Sequence, residues 1–173
     1  FGGRLSSVMD IQMKEGNSKK LAVSGGIGLI SSKLTVEAPI VKDKGSFILS
    51  GRRTYADVFL KLSPDPAIQK SSLFFYDLNL KANYKFGAKD RVFLSGYFGR
   101  DKFGFDDQFG FDWGNATATI RWNHLFNSKL FANTSVIYSN YNYGFDINGD
   151  DEEFSLASGI KEFNIKEDLS YFS

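Results

Sequence analysis

Residues 76–86 alternate strictly between apolar and polar side chains. The apolar positions begin and end with aromatic residues. Because successive side chains of a β-strand point to opposite faces, the pattern predicts one strand with an apolar and a polar face. An alternation this long, with aromatic residues at both ends, is typical of a strand between lipid and a wet lumen. The polar face consists of Asp77, Asn79, Lys81, Asn83 and Lys85.

The rest of the chain shows the same period in shorter stretches. No capping signal leads into a period of 3.6 residues, so no helix is predicted. A short strand is expected within residues 8–14, before the main series. The predicted main strands are 19–29, 33–41, 46–55, 72–86, 91–99, 114–124, 129–140 and 154–165.

The predicted connections alternate in length along the chain. Short turns fall at 42–45, 87–90 and 126–128, with Gly45 expected to supply a positive φ in the first. Long loops fall at 57–72, 100–113 and 141–153. Outer-membrane barrels have short turns on one side and long loops on the other, and a soluble β-sandwich has no reason to sort its connections in this way.

Strand length and composition agree with membrane-spanning strands. The predicted strand 72–86 is roughly 50 Å long, whereas a bilayer needs only about 9–11 tilted residues. Hydrophobic residues make up 42% of the 173 residues and mean hydropathy is −0.24. No apolar run is long enough for a transmembrane helix. The predicted fold class is therefore all-β: a transmembrane antiparallel β-barrel, of which this chain supplies about eight strands.

Composition also argues against several other functions. The net charge of +1 gives no overall field for nucleic acid, so no nucleic-acid partner is expected. The absence of cysteine excludes disulfides and thiolate chemistry. The single histidine, His124, has no partner pattern for nucleophilic catalysis and is interpreted as an interfacial side chain. We therefore expect no enzyme activity, no cofactor and no metal site.

The acidic stretch at 146–153 partly matches the pattern of a calcium-binding loop. Asp146, Asn148 and Asp150 have the required alternate spacing. The twelfth position of such a loop should be Glu but is Ala157, and the sixth should be Gly but is Asp151. A solvated acidic loop is the favoured interpretation.

Three segments carry a family resemblance. F-G-G-R-L-S-S-V-M-D-I (1–11) resembles the end of the plug domain of TonB-dependent outer-membrane receptors. G-G-I-G-L-I-S-S-K-L-T-V-E-A-P-I (25–40) resembles the first barrel hairpin of that family, and K-D-K-G-S-F-I-L-S-G-R-R-T-Y (42–55) resembles its next turn and third strand. The resemblance implies that residues 1–18 end the plug domain and that 19–173 are N-terminal strands of a barrel of roughly 22 strands.

The resemblance implies active uptake across the outer membrane of a Gram-negative bacterium. The transported nutrient would be a small molecule such as a siderophore or cobalamin, a glycan or a peptide. The TonB complex would act through a plug segment that this chain lacks, and outer-membrane lipid would surround the barrel. Two alternatives remain: a small complete outer-membrane barrel with a structural or adhesion role, and a soluble β-sandwich binding module.

Three sets of residues are candidate contacts if the resemblance holds. Arg52 and the polar face of residues 77–85 would form a plug-contact stripe. Arg53 would lie roughly 24 Å along its strand, near lipopolysaccharide phosphates. Phe105, Phe109 and Trp113 lie in a predicted loop, where they suit ligand stacking and self-packing equally.

Overall fold

The computed structural model describes residues 13–106, 108–149 and 153–172. Its strands follow one another in a single antiparallel sheet, in chain order, as a continuous meander. Two short helices interrupt the series between β3 and β4. The elements are β1 (Ala22–Ile27), β2 (Ser31–Val41), β3 (Gly45–Thr54), α1 (Ala56–Leu60), α2 (Pro66–Lys70), β4 (Ser72–Lys85), β5 (Asp90–Phe105), β6 (Phe109–Leu125), β7 (Leu130–Asn148) and β8 (Glu153–Tyr171).

The all-β prediction is confirmed, and the eight strands lie close to their predicted positions. Each strand pairs with its neighbours in sequence, and no pairing between β1 and β8 joins the ends of the sheet within the described residues. The described strands thus form one open sheet rather than the two layers of a sandwich. The expected short strand at 8–14 lies almost entirely outside the described residues.

Two of the three predicted long loops are wrong. Residues 100–105 continue β5 and residues 109–113 begin β6, so only three residues separate the two strands. Residues 141–148 likewise continue β7, and β8 begins at Glu153. The aromatic residues in these segments alternate with polar ones and favour strands, which outweighs the glycines and aspartates that suggested loops.

The expectation that the chain contains no helix is also wrong. The third long connection holds α1 and α2, each of five residues. In α2 the carboxylate of Asp65 accepts a hydrogen bond from the backbone N–H of Ala67 at 2.9 Å, and Pro66 occupies the first helical turn. An N-cap aspartate followed by proline is a helix-start signal that needs no long amphipathic period.

The turn between β2 and β3 differs from the prediction in one residue. Asp43, not Gly45, has the positive φ, at 61°. Aspartate tolerates this conformation better than most residues. Gly45 is needed for a different reason: a Cβ there would lie 2.5 Å from the carbonyl oxygen of Asn83 on the neighbouring strand. The glycine permits close approach of β3 and β4.

The sheet has an inside-out distribution of polarity. Within the described residues, Ala132 is the one hydrophobic residue that is fully buried. The buried polar residues Ser46, Thr54, Asn83 and Ser135 all lie on the face that contains Asp77, which we call the polar face. The opposite, apolar face carries one row of neighbours across all eight strands: Val23, Val36, Leu49, Leu80, Gly96, Ala118, Tyr138 and Phe163.

Candidate functional site

The polar face is a connected network of charged and amide side chains. Arg52 lies directly opposite Asp77 in the β3–β4 pairing, and two nitrogens of its guanidinium contact one carboxylate oxygen at 2.7 and 2.8 Å. The amide of Asn79 donates to the other carboxylate oxygen at 3.2 Å. Arg52, expected in the plug-contact stripe, thus pairs with a carboxylate of the adjacent strand.

Residues 13–20, which we call the N-terminal segment, lie against this polar face. Glu15 is the centre of the contact: its two carboxylate oxygens lie 3.1 Å from the amine of Lys81 and 3.2 Å from the guanidinium of Arg91. The Lys81 amine also donates to the backbone carbonyl of Met13 at 2.7 Å. We call Glu15, Lys81 and Arg91 the Glu15 clamp. It joins the N-terminal segment to two strands, β4 and β5.

Buried amide chemistry fixes the position of the clamp. Arg91 donates to the side-chain oxygen of Asn83 at 2.9 Å, and the Asn83 amide nitrogen donates to the hydroxyl of Ser46 at 3.1 Å. Asn83 and Ser46 are only 6% and 2% exposed. Because buried polar groups are costly unless bonded, this chain of contacts fixes the Arg91 side chain before Glu15 binds it. The stacking of Arg91 over Phe93, at 4.6 Å from the ring centre, has the same effect.

The predicted plug-contact stripe divides into three parts. Lys81 contacts the N-terminal segment directly, and Asn83 supports that contact through Arg91. Asp77, Asn79 and Arg52 bond to one another farther along the sheet. Lys85 lies exposed at the end of β4, where its backbone N–H donates a hydrogen bond to the backbone carbonyl of Lys44 at 2.8 Å. The stripe shares one face, but its members have different partners.

The other end of the same face carries a group of aromatic rings. The ring of Phe145 lies 5.3 Å from that of Phe109, and the rings of Phe111 and Trp113 are 4.7 Å apart. The candidate residues Phe105, Phe109 and Trp113 thus lie on strands of one face rather than in a loop. We define the distal aromatic cluster as Phe103, Phe109, Phe111, Trp113, Phe145 and Phe154, which contact one another in a chain of ring pairs.

The polarity of the two faces reverses at this end of the sheet. Behind the distal aromatic cluster, the opposite face carries Lys102, Asp112 and Asp146. Arg100 pairs with Asp112 there, and Asp146 accepts a hydrogen bond from Ser155 at 2.6 Å. Asp146 therefore has a partner within the sheet, whereas 150–152 of the acidic stretch lie outside the described residues. The apolar face is confined to the part of the sheet nearer the short turns.

A carboxylate lies at the boundary between the polar network and the distal aromatic cluster. Asp101 is paired across the sheet with Phe75 and Trp113. Burial, and then the charge of Asp77, raise the pKa of Asp101 above its ordinary value. The Asp101 carboxylate is thus a hydrogen-bond acceptor on the polar face, next to the aromatic residues Phe75 and Trp113.

Aromatic residues border the apolar face at both ends. Near the short turns, Tyr84 contacts Phe86 and Trp122 contacts His124, with ring centres 5.0 and 5.3 Å apart. At the other border Tyr76 contacts Phe74 and Phe98, at 6.4 and 6.0 Å. The candidate lipid-contact residue Arg53 lies in the same row as Tyr76, and its guanidinium is 3.8 Å from the carboxylate of Asp57 in α1.

His124, interpreted above as interfacial, is part of a small polar cluster at that border. Its Nδ1 lies 2.7 Å from a carboxylate oxygen of Asp90, and the indole of Trp122 donates to the same oxygen at 3.0 Å. The hydrogen bond with His124 is the main cause that lowers the pKa of Asp90 below its ordinary value. The shared carboxylate oxygen thus holds the two rings in place.

Glu15 and Arg91 were not predicted as functional residues from the sequence. The short turn at 86–89 contained a signal for Arg91, because a tight turn fixes the register and places this residue opposite Lys85 on the polar face. Nothing in the pattern of residues 13–20 shows that the segment folds back over the sheet. That contact joins Glu15 to residues far along the chain.

The described residues contain no group of three or more side chains that could hold a metal ion. No helix in the described part of the chain is long and apolar enough to cross a membrane. No protein-family model, curated protein or solved structure matches this chain.

Proposed function

We propose that this chain forms part of the wall of a TonB-dependent outer-membrane receptor that takes up a scarce nutrient. In this proposal the apolar face contacts lipid and the polar face lines the lumen. The membrane-spanning segments lie between Tyr76 and Tyr84 on β4, and between the residues paired with them on the neighbouring strands. The N-terminal segment is then the end of the plug, resting on the inner wall.

The observation that carries the proposal is the inside-out polarity of the sheet. Leu78 and Ile120 are 46% and 52% exposed on the apolar face, whereas Asn83 is buried on the polar face. A soluble sheet buries its apolar face against a second layer. Here the apolar row crosses all eight strands without such a layer among the described residues. If lipid covers this apolar row, no apolar area is left exposed to water.

The dimensions of the apolar face fit a bilayer. Tyr76 and Tyr84 stand at its two aromatic borders, a stretch of about nine residues, and a tilted strand needs about 9–11 residues to cross a bilayer. Outer-membrane barrels carry an apolar band about 25 Å tall between two aromatic girdles. Beyond Tyr76 the polarity reverses, as expected where strands leave the lipid and enter water.

Two features favour a large receptor over a small complete barrel. The described strands leave both edges of the sheet, β1 and β8, without a partner, so closing a barrel requires further strands. The N-terminal segment also occupies the polar face through the Glu15 clamp. In the resembling family the plug occupies that position.

A growth experiment in the source bacterium tests the proposal. The gene that encodes this chain is deleted, and growth is measured where iron–siderophore, cobalamin, one glycan or one peptide is limiting. We expect loss of growth on one nutrient class, rescue by the intact gene, and the same loss when TonB is removed. The protein should fractionate with the outer membrane.

Two results would contradict the proposal. Recovery of the intact protein in the soluble fraction without detergent would reject the membrane location. Growth on that nutrient that persists without TonB would reject energised transport while leaving a membrane role intact.

A further inference from the structure

Four of the six residues from Met13 to Ser18 form hydrogen bonds or ion pairs with the sheet or with its β2–β3 turn. Besides the Glu15 clamp, the Lys14 amine lies 3.1 Å from the carboxylate of Glu37 on β2. The carbonyl of Ser18 accepts a hydrogen bond from the backbone N–H of Asp43 at 3.0 Å. Three strands and one turn therefore contact this short segment. Such a distribution is unusual for a passive linker.

Gly16 brings the backbone of the segment into direct contact with β3. A Cβ at this position would lie 2.1 Å from the carbonyl oxygen of Phe47 and 2.4 Å from its carbonyl carbon. Both are backbone atoms, which cannot move aside as a flexible side chain could. The glycine therefore marks a fitted contact between the segment and the wall, and not a chance approach of charged side chains.

Glu15 also resolves an electrostatic conflict in the sheet. Lys81, Lys85 and Arg91 lie on the same face near the short turn, with Lys85 directly opposite Arg91. Among the described residues, Glu15 is the carboxylate in contact with both Lys81 and Arg91. Without it, Lys81 and Arg91 would lie on the same face with no carboxylate between them, which is unfavourable. Docking of the segment is thus favoured by both shape and charge.

We propose that the polar face around Lys81, Asn83 and Arg91 is a permanent docking surface for the chain's own N-terminal segment. The Glu15 clamp stays closed while the receptor works, so any movement of the plug leaves residues 13–18 in place. Each ion pair is weak by itself because its members are partly exposed. The fitted backbone contact and the ties to three strands make release a concerted event. This inference rests on the proposed function.

Trypsin cleavage of the intact purified receptor tests the docking itself. Lys14, Lys19 and Lys20 are cleavage sites within or beside the segment. Glu15→Gln and Lys81→Met should each raise cleavage there by about fivefold, the factor for roughly 1 kcal/mol of local opening. The matched control Asp168→Asn removes a carboxylate that contacts Lys166 instead, and it should leave cleavage unchanged. Wild-type rates in both clamp variants would overturn the docking.

Cysteine labelling in energised cells tests the permanence of the docking. The 173 residues contain no cysteine, so Ser18→Cys and, upstream, Ser7→Cys each introduce one site. A membrane-impermeant maleimide is applied to cells with and without TonB. We expect labelling at position 18 to be the same in both strains, and labelling at position 7 to increase when TonB is present.

The possible outcomes separate this inference from the proposed function. TonB-dependent labelling at both positions would show that the clamp opens, and would overturn a permanent anchor. TonB-independent labelling at both positions, together with TonB-independent growth, would reject the transport proposal. In that case the trypsin result alone decides whether the segment is docked.

Discussion

At the scale of single residues, burial follows hydrogen-bonding capacity rather than hydrophobicity. Asn83 and Ser46 are buried because each satisfies the other, and Arg91 completes the set. Leu78 on the same strand is nearly half exposed. In a soluble protein this arrangement would lose most of the hydrophobic contribution to folding. It becomes favourable when the medium outside the apolar face is itself apolar.

Asp90 gives a prediction about pH. Its contacts with His124 and Trp122 lower its pKa, so they stabilise the fold when Asp90 is ionised. That contribution is complete above the ordinary aspartate pKa of about 3.9 and is lost as the pH falls through the lowered value. Asp90→Asn should therefore be less stable than the wild type at about pH 7, and the gap should narrow below about pH 4. Urea unfolding in lipid vesicles measures both.

His124→Gln provides the matched control for Asp90. It removes the main cause of the lowered pKa but keeps the carboxylate. The double variant Asp90→Asn/His124→Gln should then have the same stability as Asp90→Asn alone. If the stability difference between the wild type and Asp90→Asn stays the same down to about pH 3, ionisation of Asp90 does not contribute to the stability of the fold.

At the scale of elements, the strands extend well beyond the apolar face. β6 and β7 continue for several residues past Gly114 and Asn142, in register with each other. Their aromatic side chains meet on the polar face, as the distal aromatic cluster. Cross-strand aromatic pairs stabilise such extensions where no second layer supports them.

Phe145 tests the role of that cluster, because its ring contacts those of Phe109, Phe111 and Phe154. Phe145→Ala should cost about 1–2 kcal/mol locally, since each aromatic pair contributes about 0.5–1.5 kcal/mol. Hydrogen exchange of the extended ends of β6 and β7 should then quicken by about tenfold. Exchange mass spectrometry in detergent measures this.

The matched control is Phe86→Ala at the opposite end of the sheet. Phe86 has a single ring contact, with Tyr84, and is 68% exposed. It should leave exchange in the extended ends unchanged. Equal rates in Phe145→Ala and the wild type would show that backbone pairing alone holds the extended strands.

At the scale of the whole molecule, the medium on each face decides stability. Thr119 and Ile120 are neighbours on β6 that point to opposite faces, with Ile120 beside Leu94 and Val136. If lipid covers the apolar face, Ile120→Lys should cost about 1–3 kcal/mol, because Ile120 lies between the middle of the bilayer and the Trp122 border, and the cost of lysine falls toward that border. Thr119→Lys points to the polar face and should cost much less.

Refolding into vesicles measures the difference between these two lysine variants. The comparison uses the intact protein, since the sheet described here has two open edges. Equal costs for the two substitutions would contradict a lipid-facing apolar surface. A larger cost for Thr119→Lys would indicate that the faces are assigned the wrong way round.

Several features could be predicted from sequence because they depend on neighbouring residues. Strand positions follow from period-two alternation, and the faces of Arg52 and Arg53 follow from the same rule. The N-terminus of α2 could also be predicted, from the N-cap Asp65 and the following Pro66. The aromatic segments 100–113 and 141–148 were misassigned because glycine and aspartate were given more weight than alternation.

By itself, then, the sequence determined an all-β chain whose strands each have one apolar and one polar face. That information is local, since each side chain's direction depends only on its position along the strand. Tertiary structure alone decided that Glu15 meets Lys81 and Arg91, and that the distal aromatic rings meet across β5 to β8. These contacts join residues distant in sequence, and they depend on register and on a segment that folds back over the sheet. The alternation of residues along one strand predicts neither the register between strands nor the path of the N-terminal segment.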